Sequence, residues 1–110
     1  MATALALLAA ATAEPPAVAD DVLVIARKMA YIKVDMRVPH RNGRLVLERC
    51  RVTQKSGDAE LDTIPCEVTK SCMADKPETR KGLQTCIDER WQARVDAVVA
   101  RHRAQRAAQP

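Results

Sequence analysis

The sequence predicts a small α+β fold, in which an antiparallel β-hairpin packs against two helices. Two disulfides are predicted to cross-link the hairpin and the helices. Three observations support this: one stretch of alternating apolar and charged residues, two stretches of apolar residues at helical spacing, and an even number of cysteines. The chain has 110 residues and four cysteines. A core of this size stabilises a fold only marginally, so cross-links are common. We expect one disulfide-linked domain over residues 31–106, followed by a frayed tail at 107–110.

Residues 1–19 have the features of a secretory signal peptide. An apolar run at residues 4–11 precedes two small-x-small sites, which end at Ala13 and Ala19. We favour cleavage after Ala19, with Ala13 as the alternative, although no Lys or Arg precedes the apolar run. The run is too short to span a bilayer. The sequence therefore predicts a periplasmic or secreted protein with no transmembrane segment after cleavage.

The composition narrows the classes of partner. The chain carries 18 Lys and Arg against 14 Asp and Glu, a formal net charge of +4. A basic surface favours solubility and weak attraction to anionic surfaces. Aromatic residues are limited to Tyr31 and Trp91, whereas proteins that bind single-stranded nucleic acid stack bases on aromatic side chains. No nucleic-acid partner is expected.

Residues 20–30 are predicted as an N-terminal strand or a linker, and the sequence leaves their conformation open. The run from Val22 to Ile25 is apolar and mostly β-branched, which favours a strand. Leu23, Ala26 and Ala30 also fall at helical spacing. If this segment is a strand of the domain, the sheet has three strands rather than two.

Residues 32–53 predict a β-hairpin. From residue 32 to residue 38, apolar and charged side chains alternate, which is the period of a half-buried strand. Pro39 ends the strand, and Asn42-Gly43 supplies the positive φ angles that a tight hairpin turn needs. The hairpin is therefore antiparallel, and it leaves sheet edges that are able to pair with another chain.

The return strand, residues 45–53, has an irregular alternation. Leu45 and Cys50 fall on opposite faces of a regular strand, although both are candidates for the core. A β-bulge near Glu48-Arg49 would bring them to the same side, and we predict one there.

The first helix after the hairpin is capped by Asp58. Its apolar residues share one face, as the three- and four-residue spacing requires: Leu61, Ile64, Pro65, Val68 and Cys72. Proline inside a helix costs about 3 kcal/mol. Two alternatives follow: a kink at Pro65, or a short turn at 59–62 with the helix beginning near Thr63.

The second helix is predicted to be long and amphipathic, over residues 78–104. A capping box formed by Asp75 and Glu78, with Pro77 in the first turn, predicts its start. Its apolar stripe consists of Leu83, Ile87, Trp91, Val95, Val98 and Val99. The C-terminal end is basic, which suits the negative end of the helix dipole.

The four cysteines predict two disulfides, because an exported protein meets an oxidising compartment and no close Cys-x-x-Cys or Cys/His pair suggests a metal. Cys66 and Cys72 would lie about 240° apart around a helix, which excludes that pair. We favour Cys50–Cys66 with Cys72–Cys86. The alternative, Cys50–Cys72 with Cys66–Cys86, requires the second helix to cross back. No cofactor or metal is expected.

A resemblance to a known family rests on three motifs between Tyr31 and Cys72: the strand Ile-Lys-Val-Asp-Met-Arg-Val, the turn Asn-Gly-Arg-Leu, and the helix entry Cys-Arg-Val-Thr-x-x-Ser-Gly-Asp-x-x-Leu-Asp. This stretch resembles the TonB C-terminal domain, in particular its cysteine-bearing periplasmic variants. In that family a third strand follows the helix and receives a strand of the receptor, whereas here a second helix follows. The resemblance therefore implies the hairpin and helix of the fold, but not energy transduction.

These observations together predict a small exported, non-enzymatic protein-interaction module, whose partner is an envelope protein bound through a sheet edge. The alternative is a basic structural protein of the cell envelope, which contacts anionic lipid or polymer through residues 78–106. No enzyme and no catalytic residue are predicted. The cysteines are expected to be oxidised, His40 lies in a turn, and His102 lies near a helix end, so no nucleophile has an evident base.

Overall fold

The computed structural model describes residues 16–109, with side chains described from Asp21 onward. In chain order the elements are α1 (Pro16–Tyr31), β1 (Lys33–Arg37), β2 (His40–Arg41), β3 (Arg44–Leu45), β4 (Arg49–Gln54), α2 (Ala59–Ala74) and α3 (Arg80–Ala107). The predicted α+β class, with an antiparallel hairpin, amphipathic helices and two disulfides, is confirmed. The apolar run and the Ala13 site of the predicted leader lie outside the described residues.

The segment 20–30, predicted as a strand or a linker, belongs instead to helix α1. Its buried residues, Asp21, Ile25 and Met29, recur every four positions and form one narrow face. That face packs mainly against α3, and this tertiary contact outweighs the β propensity of the run from Val22 to Ile25. Within residues 16–109 the fold thus has three helices, and no third strand joins β1 and β4.

The hairpin forms as the sequence predicted. β1 pairs antiparallel with β4, and β2 pairs antiparallel with β3 around the turn. Asn42 and Gly43 have φ angles of 53° and 78°, as a two-residue turn that follows the strand twist requires.

The predicted bulge is also present. Arg37 pairs with Arg49, and the carbonyl of Arg37 also accepts a hydrogen bond from the N–H of Glu48 at 2.9 Å. Glu48 and Arg49 therefore both lie opposite Arg37, which is the two-against-one arrangement of a β-bulge. This extra residue turns Leu45, which is buried, and Cys50, which is half-buried, to the same side of the hairpin.

Helix α2 is continuous from Ala59, so the alternative start near Thr63 is wrong. Pro65 lies in the helix interior, where it has no N–H to donate to the carbonyl of Leu61 four residues earlier. Its ring is fully buried, and burial of apolar surface offsets part of the lost helical bond. The predicted apolar face of α2, including Leu61, Ile64 and Val68, is buried throughout.

Helix α3 begins later than the predicted capping box. Thr79 is the N-cap, and its hydroxyl oxygen accepts the N–H of Gly82 at 3.0 Å. Asp75 instead ends α2 as its C-cap, so the box of Asp75 with Glu78 was a wrong prediction. The helix ends at Ala107 rather than at residue 104. Its predicted apolar stripe is confirmed, because all six residues are buried or pack against the core.

Four arginines of α3 bind carboxylates on the other two helices: Arg90 with Asp75, Arg94 with Glu67, Arg101 with Glu60, and Arg106 with Asp21. The hydrogen bond from Arg101 to Glu60 raises the pKa of that guanidinium above its ordinary value. Exposed pairs of this kind each contribute little, about 0–1 kcal/mol. Their consequence is that much of the basic character of α3 is neutralised within the molecule.

Candidate interaction site: the basic hairpin

The two disulfides fix the hairpin and the helices relative to one another. Cys50 of β4 is bonded to Cys66 of α2, and Cys72 of α2 is bonded to Cys86 of α3, with Cα–Cα distances of 5.7 and 5.9 Å. These are the two favoured pairs. The first joins the sheet to α2, and the second joins α2 to α3. No described cysteine is free.

The two faces of the β1–β4 ladder differ in chemistry. Val34 pairs with Val52 and Met36 with Cys50, on the side that carries the disulfide to α2. Asp35 pairs with Arg51 and Arg37 with Arg49, and because side chains alternate along a strand, these four point to the opposite side. That opposite side is exposed to solvent, and we call it the basic face.

The hairpin holds the whole net charge of the protein. Residues 33–54 contain six Lys and Arg and two acids, a net charge of +4, which equals the net charge of the chain. The remaining residues contain 12 cations and 12 acids, and are therefore neutral overall. The six hairpin cations are Lys33, Arg37, Arg41, Arg44, Arg49 and Arg51. The surplus positive charge of the chain thus lies within one segment, the hairpin.

On the basic face each carboxylate is shared by two arginines. Asp35 Oδ2 lies 2.9 Å from Nε of Arg49 and 3.4 Å from Nε of Arg51. Glu48 accepts from Arg41 and lies 3.1 Å from Nε of Arg37. Each group of three therefore keeps one surplus positive charge. The arginines are about half to two-thirds exposed, between 48% and 68%, so their remaining N–H groups are accessible to an anion.

The outer edge of β1 carries unpaired backbone groups. Among residues 16–109, β1 pairs only with β4. The carbonyl of Arg37 points toward the return strand, since it accepts the N–H of Glu48. Hydrogen-bonding direction alternates along an antiparallel strand, so the N–H and C=O groups of Val34 and Met36 point outward. Met36 is also 37% exposed, which places an apolar side chain beside these groups.

The Ser-Gly-Asp-x-x-Leu-Asp motif at the start of α2 forms a hydrogen-bonded corner. Asp58 caps the helix by accepting the N–H of Glu60 at 3.1 Å and that of Leu61 at 3.3 Å. Gly57 has a φ of 92°, a conformation that glycine adopts readily. The N–H and hydroxyl of Ser56 both donate to Asp62, at 2.7 and 2.8 Å. The corner thereby fixes the direction in which the chain leaves β4 and enters α2.

The backbone hydrogen bond from Ser56 lowers the pKa of the Asp62 carboxyl below its ordinary value. A lowered folded-state pKa contributes stability above the pKa of the unfolded chain, about 4, and this contribution is lost as the pH falls through the folded-state pKa. We therefore expect Asp62→Asn to be less stable than the parent protein at pH 7, by a difference that narrows below about pH 4. Urea unfolding at pH 7 and pH 3 measures both differences.

Glu89→Gln is a suitable control for that measurement, because Glu89 is exposed on α3 and has no ion pair among the described side chains. Its stability should follow that of the parent protein at both pH values. If Asp62→Asn differed from the parent by the same amount at pH 3 as at pH 7, the charge of Asp62 would have no part in the stability of the corner.

The structure does not bring the two histidines into a catalytic arrangement with a cysteine. His40 is exposed in β2, His102 is half-buried on α3, and all four cysteines are in disulfides. Among the described side chains, no group of three or more His, Cys, Asp or Glu is placed to hold a metal ion. Within residues 16–109, no helix is both long enough and apolar enough to cross a bilayer.

The charge asymmetry was missed in the sequence analysis, although the sequence contains its signal. Counting charges by segment assigns the surplus to residues 33–54. The outward direction of the groups at Val34 and Met36 had no such signal, because it depends on which residues the bulge places opposite Arg37.

Comparison of the whole chain with protein-family models, with curated proteins and with solved structures found no match to any of them.

Proposed function

We propose that the protein is an exported, non-enzymatic interaction module that binds an extended, acidic segment of a cell-envelope protein along the free edge of β1. The observation that carries this proposal is the combination of outward backbone groups at Val34 and Met36 with an adjacent face on which arginines outnumber carboxylates. Backbone hydrogen bonds at a sheet edge supply affinity for any extended chain, and side chains on the flanking face supply selectivity.

An added strand would place alternate side chains next to Lys33, Asp35 and Arg37 on the basic face. Lys33 and Arg37 favour carboxylates at the first and third of these positions. Asp35 is already neutralised by Arg49 and Arg51, so it does not repel an acidic chain as a lone carboxylate would. The opposite charges of the acidic segment and the basic face also raise the association rate constant, and added salt reduces this increase.

The exported location is supported by two independent features. The leader-like sequence at residues 1–19 has the apolar run and cleavage sites of a signal peptide. Two disulfides are typical of proteins in oxidising compartments. The resemblance of Tyr31 to Cys72 to the TonB C-terminal domain adds a third argument for export, since that family works in the periplasm.

The alternative, a structural protein that uses residues 78–106 to contact anionic lipid or polymer, has weaker support. Arg90, Arg94, Arg101 and Arg106 lie in this range, and each is paired with a carboxylate of α1 or α2. A helix whose cations are neutralised internally has less charge to offer to an anionic surface. Pelleting with anionic vesicles over a salt series tests this alternative, which fails if no protein pellets at low salt.

Substitution of Met36 tests the β1 edge. Because the N–H of Met36 points outward, proline at this position removes a donor for the added strand without removing a bond of the β1–β4 ladder. We expect Met36→Pro to weaken binding of a peptide that alternates Glu and Val by about tenfold, through the lost hydrogen bond and the bulk of the ring. Fluorescence anisotropy of the labelled peptide gives the Kd.

Met36→Thr is the matched control, because it removes the same exposed side chain and keeps the N–H. Its Kd for the peptide should lie within about twofold of that of the parent protein. A peptide with Lys in place of Glu should bind neither the parent protein nor Met36→Thr. Equal affinity of the Pro and Thr variants would exclude the β1 edge as the binding site. Equal affinity for the Glu and Lys peptides would exclude a role for the basic face.

A further inference from the structure

A second surface, remote from the hairpin, lies between α1 and α3. The two helices are antiparallel, because Asp21 in the N-terminal half of α1 binds Arg106 in the last turn of α3, and Met29 near the end of α1 lines the same groove as Trp91. Between them lies a groove of about 450 Å³, within the range of about 300–1,000 Å³ that is usual for small-molecule sites. Its apolar lining includes Val22, Ala26, Met29, Trp91, Val95 and Val99.

The groove is open to solvent although its lining is apolar. Val22, which borders it, is 41% exposed. A concave groove with a largely apolar lining and a few polar groups is a candidate binding site. Trp91 is the only tryptophan of the chain, and it supplies a large rigid contact surface at one end of the groove.

The opposite end of the groove carries a cation. Arg103 lines the groove and is exposed, and unlike Arg101 and Arg106 it has no ion pair among the described side chains. From residue 91 to residue 103, α3 rises about 18 Å. The groove is therefore elongated, with an aromatic ring at one end and an accessible guanidinium at the other.

The polar groups between these ends favour one orientation of an anionic ligand. Gln92 donates to Asp96 at 2.8 Å, and both line the groove near Trp91. The carboxylate of Asp96 disfavours an anion at this end, whereas Arg103, about 10 Å further along the helix, favours one.

We propose that this groove binds a single-chain fatty acid, with the carboxylate at Arg103 and the end of the alkyl chain at Trp91. The elongated shape fits one alkyl chain, the lining is apolar, and the charge at the far end is complementary to a carboxylate. This site shares no residue with the β1 edge, so it is a second function that stands or falls independently of the peptide-binding proposal.

Trp91 reports on its own site, because the chain has no other tryptophan. Titration of the purified, disulfide-bonded protein with dodecanoate, below its micelle-forming concentration, is expected to shift the Trp91 emission to shorter wavelength and to saturate. Dodecanoate brominated at its terminal carbon should quench Trp91 more strongly than dodecanoate brominated beside the carboxylate. No saturable change in emission would overturn the proposal, and stronger quenching by the second compound would overturn the orientation.

Two pairs of variants test the contacts. Ala26→Phe places a ring in the groove and should raise the Kd about tenfold or more, whereas Ala30→Phe, on an exposed position of α1 outside the lining, should leave it unchanged.

Arg103→Gln should raise the Kd about fivefold, as expected for one exposed ion pair. Arg80→Gln makes the same charge change on the same helix, away from the groove, and should have no effect. Equal effects within either pair would overturn the assignment.

Two other occupants of the groove would give different results. If anionic vesicles shift the Trp91 emission to the same degree in the parent protein and in Ala26→Phe, the apolar surface adsorbs to membranes and the fatty-acid proposal fails. If the protein sediments as a dimer, and Ala26→Phe dissociates it while dodecanoate has no effect, a second copy of the chain fills the groove and the proposal also fails.

Discussion

Reduction of the two disulfides is expected to unfold the protein at 25 °C. The bridges close loops with sequence separations of 16 and 14 residues, and on the chain-entropy account each contributes about 3 kcal/mol. Their sum, about 6 kcal/mol, lies within the range of about 5–15 kcal/mol that spans the entire stability of typical domains. The remaining stability comes from a small core, with eleven buried apolar side chains among those described and no phenylalanine.

The loss of stability that we expect on removing a disulfide is not the same for the two bridges. Cys72 has no exposed surface, whereas Cys50 and Cys66 are half-buried. Replacing Cys72 and Cys86 by alanine therefore removes a cross-link and also leaves a gap in the core, which adds to the loss. Replacing Cys50 and Cys66 removes mainly the cross-link. We expect the first double variant to be the less stable of the two.

Urea unfolding followed by circular dichroism, with and without a reducing agent, measures these effects. The reduced parent protein should show little helix without denaturant, and each double variant should retain a cooperative transition at a lower urea midpoint. A reduced protein that unfolds at the same midpoint as the oxidised form would show that the disulfides contribute nothing. An equal loss in both double variants would exclude a core contribution from Cys72.

The parts of the fold that the sequence predicted correctly are those determined by local patterns. In the strand before Pro39, apolar and charged side chains alternate with a period of two. Asn42-Gly43 favours the hairpin turn through its own backbone preferences, independently of tertiary contacts. The disulfide pairing followed because the favoured pairs close short loops and Cys66–Cys72 was excluded by helix geometry. The bulge was predictable because a regular strand would have put Leu45 and Cys50 on opposite faces.

The parts that were predicted wrongly depend on tertiary contacts or on competition between similar local signals. The run from Val22 to Ile25 suits a strand and a helix almost equally, and the packing of Ile25 and Met29 against the core decides for the helix. At the start of α3, Asp75 and Thr79 are both acceptable caps. Thr79 is the N-cap, while Asp75 ends α2 and binds Arg90.

The candidate sites were less predictable than the fold. The hairpin charge could have been counted, but the unpaired edge groups depend on the register of β1 against β4. The fatty-acid groove depends on the separation of α1 from α3, which no local pattern specifies. In sequence, Trp91 and Arg103 resemble any other residues of an amphipathic helix, and only the position of α1 distinguishes them.

Truncation of Ile64 is expected to have the next largest effect on stability. Ile64 has no exposed surface and lies at the centre of the face that α2 presents to the core. Ile64→Ala removes three carbons from a site that we expect to close only partly around the gap, because the disulfides at Cys66 and Cys72, both on the C-terminal side of Ile64, restrict the movement of α2. Substitutions of this kind cost about 2–5 kcal/mol.

Thr63→Ala is the matched control, since Thr63 is the exposed neighbour of Ile64 on the same helix. Its hydroxyl donates only to the carbonyl of Glu60, so its loss should change stability by about 0.5 kcal/mol or less. For a domain of this size, a loss of 3 kcal/mol lowers the Tm by about 12–24 °C. Thermal unfolding of the oxidised variants measures this, and a Tm of Ile64→Ala within a few degrees of Thr63→Ala would show that α2 moves to refill the gap.

The two stability predictions also constrain each other. On the entropic account, the disulfides reduce the conformational entropy of the unfolded chain and leave the native packing around Ile64 unchanged. The stability lost in Ile64→Ala should then be the same with and without the Cys50–Cys66 bridge. If they act instead by holding α2 in place, the cost should fall once Cys50 and Cys66 are replaced, because α2 then has freedom to relax. Measuring Ile64→Ala in the parent protein and in the Cys50→Ala/Cys66→Ala variant therefore separates the two mechanisms: additive losses indicate the entropic one, and a loss smaller than the sum indicates the mechanical one.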